Sequence, residues 1–291
     1  MRLVSLLING EEAAAIVSEK GFIPVTAIND QFGTNWSVTV FDLIEKGELQ
    51  DLNRWYQVQK ESAVEISTDQ VVDPKDAEIL PLYRRPRKIW GIGLNYIEHA
   101  SDLSEKAPST EPASFMKPDT AIIGMNDWIE IPKQSERTTA EAELGVIIGK
   151  RCKDVSEEEA PSVIAGFTTI IDMTAEDILQ KNPRYLTRAK SFDTFFSFGP
   201  ELVTPDEVQE VLDLNVSTII NGGLHRKNSV SNMTFKPWNL VSFHSKVMTL
   251  LPGDIISTGT PGAVVIHDGD AVECHIDGFE PLVNRVKDLK V

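Results

Sequence analysis

The residues with the clearest chemical potential are three carboxylates. Glu141 and Glu143 flank a single alanine and lead into the apolar, strand-like run Leu144-Gly145-Val146-Ile147-Ile148, and Asp172 lies 29 residues beyond Glu143. Side chains at i and i+2 of a strand share a face, so the two glutamates would project together. Asp172 closes a second apolar run, Gly166-Phe167-Thr168-Thr169-Ile170-Ile171, which predicts a carboxylate at a strand end. Convergent carboxylates in apolar surroundings repel one another and resist desolvation. A hard dication such as Mg²⁺ or Mn²⁺ removes the conflict, because it prefers oxygen donors and keeps waters that a substrate can displace. The same pattern also fits two glutamates on a solvated edge strand and an aspartate that begins a turn.

Three further clusters carry reactive side chains. In Gly91-Ile92-Gly93-Leu94-Asn95-Tyr96-Ile97-Glu98-His99-Ala100-Ser101-Asp102, a strand runs into a glycine-punctuated turn and a short helical stretch. At i and i+3 of a helix, His99 and Asp102 face each other, and a carboxylate that fixes an imidazole tautomer makes a general base. A surface histidine beside a carboxylate reads the same way. Gly91-x-Gly93 lacks the third glycine of a dinucleotide fingerprint. Residues 100–114, rich in Ser, Pro, Glu and Ala, read as a lid or as an ordinary loop. In Arg188-Ala189-Lys190-Ser191-Phe192-Asp193-Thr194-Phe195, a lysine amid aromatic and small residues calls for an anionic partner, either a substrate or Asp193. In Pro252-Gly253-Asp254-Ile255-Ile256-Ser257-Thr258-Gly259-Thr260-Pro261-Gly262, a buried strand ends in a glycine-rich turn whose N–H groups and threonine hydroxyls could bind a carboxylate. It has no P-loop lysine. His225, His244, His267 and His275 show no metal-ligand spacing with one another or with the cysteines, and no Gly-x-Ser-x-Gly elbow occurs.

The chain of 291 residues can bury a substantial core without disulfides or a structural metal. Asp+Glu 44 against Lys+Arg 28 gives a net charge of −16, which argues against nucleic acid and anionic membranes as partners. Cys152 and Cys274 imply no disulfide framework and fit a reducing cytoplasm. Runs such as Leu3–Ile8 and Gly145–Gly149 are too short to span a bilayer, and a signal peptide is not expected.

The elements that must position these clusters are mostly strands. In residues 1–80, short alternating stretches (Arg2–Ile8, Ala14–Ser18, Phe22–Ala27) separated by Asn9-Gly10 and Lys20-Gly21 predict a small hairpin module, followed by a helix over Val38–Gly47. Arg84-Arg85-Pro86-Arg87 reads as the join. Beyond it, strands are predicted at Lys88–Gly93, Ala121–Ile123, Ala140–Ile148, Phe167–Ile171, Leu214–Ile220, Ile255–Thr258 and Ala271–Ile276. Helices are expected to start at Thr204-Pro205-Asp206-Glu207 and to run from Asn239 to about Leu250, and Ser156-Glu157-Glu158-Glu159 resembles a capping box. The fold class is α+β and β-rich, with a small N-terminal β-rich module over 1–80 and a larger domain over 85–291.

Taken in order, the clusters resemble the fumarylacetoacetate hydrolase family across roughly residues 85–290. The resemblance rests on Gly93-Leu94-Asn95-Tyr96 with His99, Phe115-Met116-Lys117-Pro118, Glu141-Ala142-Glu143-Leu144, Asp172, Ala189-Lys190-Ser191-Phe192-Asp193-Thr194-Phe195, Asn221-Gly222, Pro252-Gly253-Asp254 and Thr258-Gly259-Thr260-Pro261. It implies a mixed β-sandwich or roll special to that family, forming a homodimer. It also implies Mg²⁺ or Mn²⁺ held by Glu141, Glu143 and Asp172, and a His99–Asp102 dyad on a lid. Lys190 would be catalytic, and Asn95, Lys117, Gly259 and Thr260 would bind a small 2-oxo acid. Two departures stand out. Asp102 replaces the glutamate usual in smaller members, and where the family often has Arg and Gln, four and seven residues after Asp172, this chain has Glu176 and Leu179, with Gln180 adjacent. The reaction expected is C–C hydrolysis of a 2,4-dioxo acid. Oxaloacetate decarboxylation, isomerisation or dehydration of a related acid, and a metal-stabilised binding protein are the alternatives.

Overall fold

The structure, a computed structural model, describes residues 1–63, 70–98 and 108–291. His99 and Asp102 lie outside the described residues.

The N-terminal segment forms as its turn signals require. Asn9 and Gly10, both at positive φ (53° and 83°), join β1 (Arg2–Ile8) to β2 (Glu11–Ser18), and β3 (Gly21–Pro24) follows. Three helices come next: α1 (Val25–Phe32), α2 (Val40–Glu45) and α3 (Leu49–Ala63). The predicted helix over Val38–Gly47 is thus realised as α2, whose N-cap Thr39 accepts from the Asp42 N–H. The hairpin does not stand apart from the rest: β1 pairs antiparallel with a strand two hundred residues away in sequence.

The strands β4 (Ile79–Leu80), β5 (Ile89–Gly93), β6 (Ala113–Lys117), β7 (Ile122–Ile123), β8 (Trp128–Ile131), β9 (Thr138–Ile148) and β10 (Ile164–Ala175) precede two short helices, α4 (Glu176–Lys181) and α5 (Leu186–Lys190). Then come β11 (Phe196–Val203), β12 (Asn215–Ile220), β13 (Gly223–Ser229), α6 (Pro237–Val247), β14 (Ile255–Ser257), β15 (Val264–Val265), β16 (Ala271–Ile276) and β17 (Leu282–Asp288). Among the described residues they build a mixed sheet of twelve strands, with the path β3-β2-β1-β11-β10-β9-β14-β5-β6, and a second of five, β13-β12-β16-β17-β8. This is the β-rich α+β class expected.

The centre of the large sheet is β9 and β10. Every residue of β10 is buried, and in β9 only Glu141 is half-open. Strands enclosed on both faces read as continuous apolar runs, which is how these two read in the sequence. The second sheet covers β9 through β12 and β16. Two expectations need correction. The Thr204-Pro205-Asp206-Glu207 segment makes only a single 3₁₀ turn over Pro205–Glu207, because the Thr204 hydroxyl donates to the Met1 carbonyl at 2.8 Å instead of capping a helix. No strand is predicted over Phe196–Val203, yet β11 forms there with Gly199-Pro200 inside it. The structure places it between β1 and β10, with a register shift in β10 between Phe167 and Thr169.

Candidate metal centre and substrate cavity

The antiparallel register of β9 and β10 sets Glu141 directly opposite Asp172, and Glu143 lies on the same face two residues along. One carboxylate oxygen from each of Glu141, Glu143 and Asp172 can be chosen so that all lie within 4.8 Å of one another. Asp172 is therefore not at a strand end, as the apolar run suggested, but three residues inside β10, which continues to Ala175. Neither glutamate lies on a solvated edge.

Two buried ammonium groups reach into this trio. Lys190, at the end of α5, donates to Asp172 Oδ2 at 2.6 Å and to Glu141 Oε2 at 3.0 Å. Its anionic partners are thus two of the trio rather than Asp193. Its Nζ also sits 4.7 Å from the centroid of the Phe115 ring, a cation–π contact. That ring lies across Gly91, where a Cβ would come within 2.2 Å of it. Lys117, on β6, donates to Asp172 Oδ1 and to the Met173 carbonyl at 3.1 Å. It stands beside the carboxylates and does not line the main cavity.

The remaining contacts orient the carboxylates. Glu143 Oε2 accepts from Ser257 Oγ at 2.6 Å and from the Gly259 N–H at 2.7 Å, and Thr174 Oγ1 donates to Glu141 Oε1 at 3.2 Å. The glycine-rich turn after β14 does bind a carboxylate, as its backbone promised, but that carboxylate is the protein's own. Gly259 is at φ 96°, and a Cβ there would meet the Asn95 Cβ at 2.8 Å. Asn95, expected at the substrate, instead clamps loops. Its amide donates to the Phe235 and Thr258 carbonyls at 2.9 and 2.8 Å, and its oxygen accepts from the Phe235 N–H at 2.8 Å. Thr260 lines the cavity, with its hydroxyl bound within the turn to Gly262.

Three carboxylates against two ammonium groups leave one formal negative charge in a desolvated place. Burial, then the neighbouring charges of Asp172 and Glu141, push the Glu143 carboxyl up from the ordinary range. Burial pulls Lys117 down to about 8, only partly offset by Asp172 and reinforced by Lys190. Burial also opposes the Lys190 charge, but Asp172, Glu141 and Glu143 overcome it and raise that group. The shortage of positive charge and the all-oxygen donor set fit a hard divalent cation.

A cavity of about 590 Å³ reaches the trio at Glu141 and is also lined by Lys190, Thr260, Phe115, Glu176 and Leu186. That size suits a small ligand. Thr174 has no place in the sequence expectations, whereas Phe115 and Ser257 enter them only as members of longer motifs, Ser257 as a hydroxyl inside a buried apolar strand.

The family model described as "Fumarylacetoacetate (FAA) hydrolase C-terminal" matches residues 88–287. The chain belongs to the fumarylacetoacetate hydrolase family. The match begins at β5 and takes in every element of the centre. A curated relative within reach of this family member is the mitochondrial oxaloacetate tautomerase of Xenopus laevis, 34% identical over 229 residues, 76% of this chain and 72% of that one. Among solved structures, a maleylpyruvate hydrolase from Sphingobium sp. SYK-6 in complex with manganese(II) and pyruvate is 26% identical with a TM-score of 0.80, covering 99% of both chains. A 5-carboxymethyl-2-hydroxymuconate delta-isomerase from Mycobacterium smegmatis is 29% identical with a TM-score of 0.77, again over 99% of both chains. These fumarylacetoacetate hydrolase relatives are thus named as a hydrolase, an isomerase and a tautomerase. Among the described residues, no helix is long and apolar enough to cross a membrane.

Proposed function

We propose that this protein is a divalent-metal-dependent enzyme that hydrolyses the bond between carbons 3 and 4 of a 2,4-dioxo acid. The observation that carries this reading is the carboxylate trio with the Lys190 ammonium bound to two of its members, Glu141 and Lys190 themselves lining a cavity. Mg²⁺ or Mn²⁺ held by Glu141, Glu143 and Asp172 would supply Lewis acidity toward the 1-carboxylate and 2-oxo oxygens. Ser257 and Gly259 hold Glu143 in place for that duty, and Thr174 holds Glu141.

The remaining steps fall to this chain's own side chains. The general base assigned to draw a proton from water is His99, with Asp102 as the carboxylate that the sequence pairs with it. The water oxygen attacks carbon 4. The bond between carbons 3 and 4 then breaks with its electron pair leaving on the pyruvate enolate, whose oxygen charge Lys190 stabilises. Protonation at carbon 3 gives pyruvate and a carboxylic acid. A second reading, enol chemistry on oxaloacetate, is favoured by the Xenopus laevis relative and uses the same centre without an attacking water.

The deciding experiment is pyruvate release from acetylpyruvate and conversion of oxaloacetate, each with Mn²⁺, for the wild type and His99→Ala. Loss of the general base should cut acetylpyruvate cleavage by ~10²–10⁴-fold and spare metal-supported decarboxylation of oxaloacetate. An equal fall in both would remove water activation from His99. Turnover of oxaloacetate with acetylpyruvate left intact would hand the function to the second reading.

A further inference from the structure

The face of β9 and β10 that carries the trio continues as a ladder of paired side chains. Glu141 stands opposite Asp172, and Thr139 stands opposite Thr174. Beyond the end of β10 the Glu176 N–H donates to the Arg137 carbonyl at 2.9 Å, so Arg137 and Glu176 form the next rung. With rungs at every second residue, the last lies about 13 Å from the first along the line of β9. Glu141, Thr139, Thr174 and Glu176 all line the one cavity, so a ligand held at the trio extends past two hydroxyls toward a carboxylate.

The chemistry at the two ends differs. Lys190 is the only ammonium or guanidinium among the described residues lining the cavity, and it sits at the trio. At the far end Glu176, mostly buried, accepts from Arg137 Nε and from Gln180 Nε2, the latter at 3.1 Å. Arg137 is half exposed, and its Nε is committed to Glu176. The wall beside them is apolar, built by Leu179, Pro183 and Leu186. A tail ending in a carboxylate would bring a second anion beside Glu176, whereas an uncharged tail would meet apolar carbon.

We infer that this site selects 2-oxo acids with an uncharged, apolar tail, and that Glu176 excludes those whose tail ends in a carboxylate. The inference rests on the proposed reading of the carboxylate trio, and it deepens that reading by naming the substrate class. Short acids such as oxaloacetate do not reach the Glu176 rung, and their distal group would stop near Thr139 and Thr174.

The test is calorimetric titration of the Mn²⁺-loaded protein with 2-oxooctanoate and 2-oxooctanedioate, which share a length and differ in the terminal group, with oxalate in parallel. The monoacid should bind at least about tenfold more tightly. Glu176→Gln should shrink that ratio several-fold by improving the diacid. Equal or tighter binding of the diacid by the wild type overturns the inference, and this comparison needs no variant. So does a ratio that Glu176→Gln, shown folded by thermal melt, leaves unmoved. If Arg137→Gln selectively weakens the diacid, then Arg137 recruits carboxylate tails and the inference is likewise overturned. Failure of oxalate to bind strikes the reading of the trio itself, while oxalate binding without tail discrimination strikes only the role of Glu176.

Discussion

Lys190 and a bound dication would share the same oxygens, and Lys190→Met separates their contributions. The Lys190 side chain is 7% exposed and contacts Asp172 and Glu141 at 2.6 and 3.0 Å. Removing one partner from a buried ion pair costs ~3–5 kcal/mol, because the charge left behind is uncompensated. Methionine fills most of the volume, so packing against Phe115 contributes little to the loss. An unfolding entropy of roughly 2.1 cal/mol/K per residue makes about 0.6 kcal/mol per degree for a chain of 291 residues. In excess chelator the variant should therefore melt ~5–8 °C below the wild type. Mn²⁺ should narrow the deficit. At a thousandfold excess over the dissociation constant it stabilises by ~4 kcal/mol, and by more where no ammonium competes for Asp172 and Glu141. The gap with saturating Mn²⁺ should shrink to ~2 °C or less. Steady-state kinetics on the Mn²⁺-loaded pair should then show kcat reduced far more than KM is raised, as for an interaction that strengthens in the transition state. An equal melting gap with and without Mn²⁺ would refute the shared-oxygen argument. So would a variant that melts with the wild type in chelator.

Three other perturbations probe the supports of the centre. Ser257→Ala removes one of the two donors on Glu143 Oε2, and Mn²⁺ titration should show ~10–100-fold weaker binding. Unchanged affinity would mean the Gly259 N–H suffices. Gly259→Ala forces a left-handed backbone on a residue with a Cβ, 2.8 Å from the Asn95 Cβ and 3.0 Å from the Ile92 carbonyl. Strain of ~1–3 kcal/mol should lower its melting temperature by ~2–5 °C. His244 is buried, and burial holds its pKa below 6.5 even though the Leu240 carbonyl works the other way. The unfolded chain then takes up the proton first, so stability is full above pH 6.5 and is lost as pH falls below it toward the depressed folded value. Melting curves from pH 7 to 5 should fall more steeply for the wild type than for His244→Asn, and parallel curves would exclude this histidine as a source of the slope.

Much of the centre was legible in one dimension because strand periodicity is local. Two glutamates at i and i+2 must share a face, and apolar runs as continuous as those of β9 and β10 announce strands enclosed on both sides. The sequence thereby determined the β-rich class and the three carboxylates. It also marked Lys190 as a buried charge in need of an anion. What it could not determine was pairing. That Glu141 faces Asp172 follows from an antiparallel register between strands 31 residues apart, which no local pattern encodes. The same long-range pairing took Lys190 to Glu141 and Asp172 instead of its neighbour Asp193, and turned the Gly259 N–H toward Glu143 instead of a ligand. Lys117 and Asn95 entered as site residues only through the family resemblance, and the contacts the structure gives them are internal: desolvated groups satisfy themselves with whatever the fold brings within reach, and only the tertiary structure decides what that is.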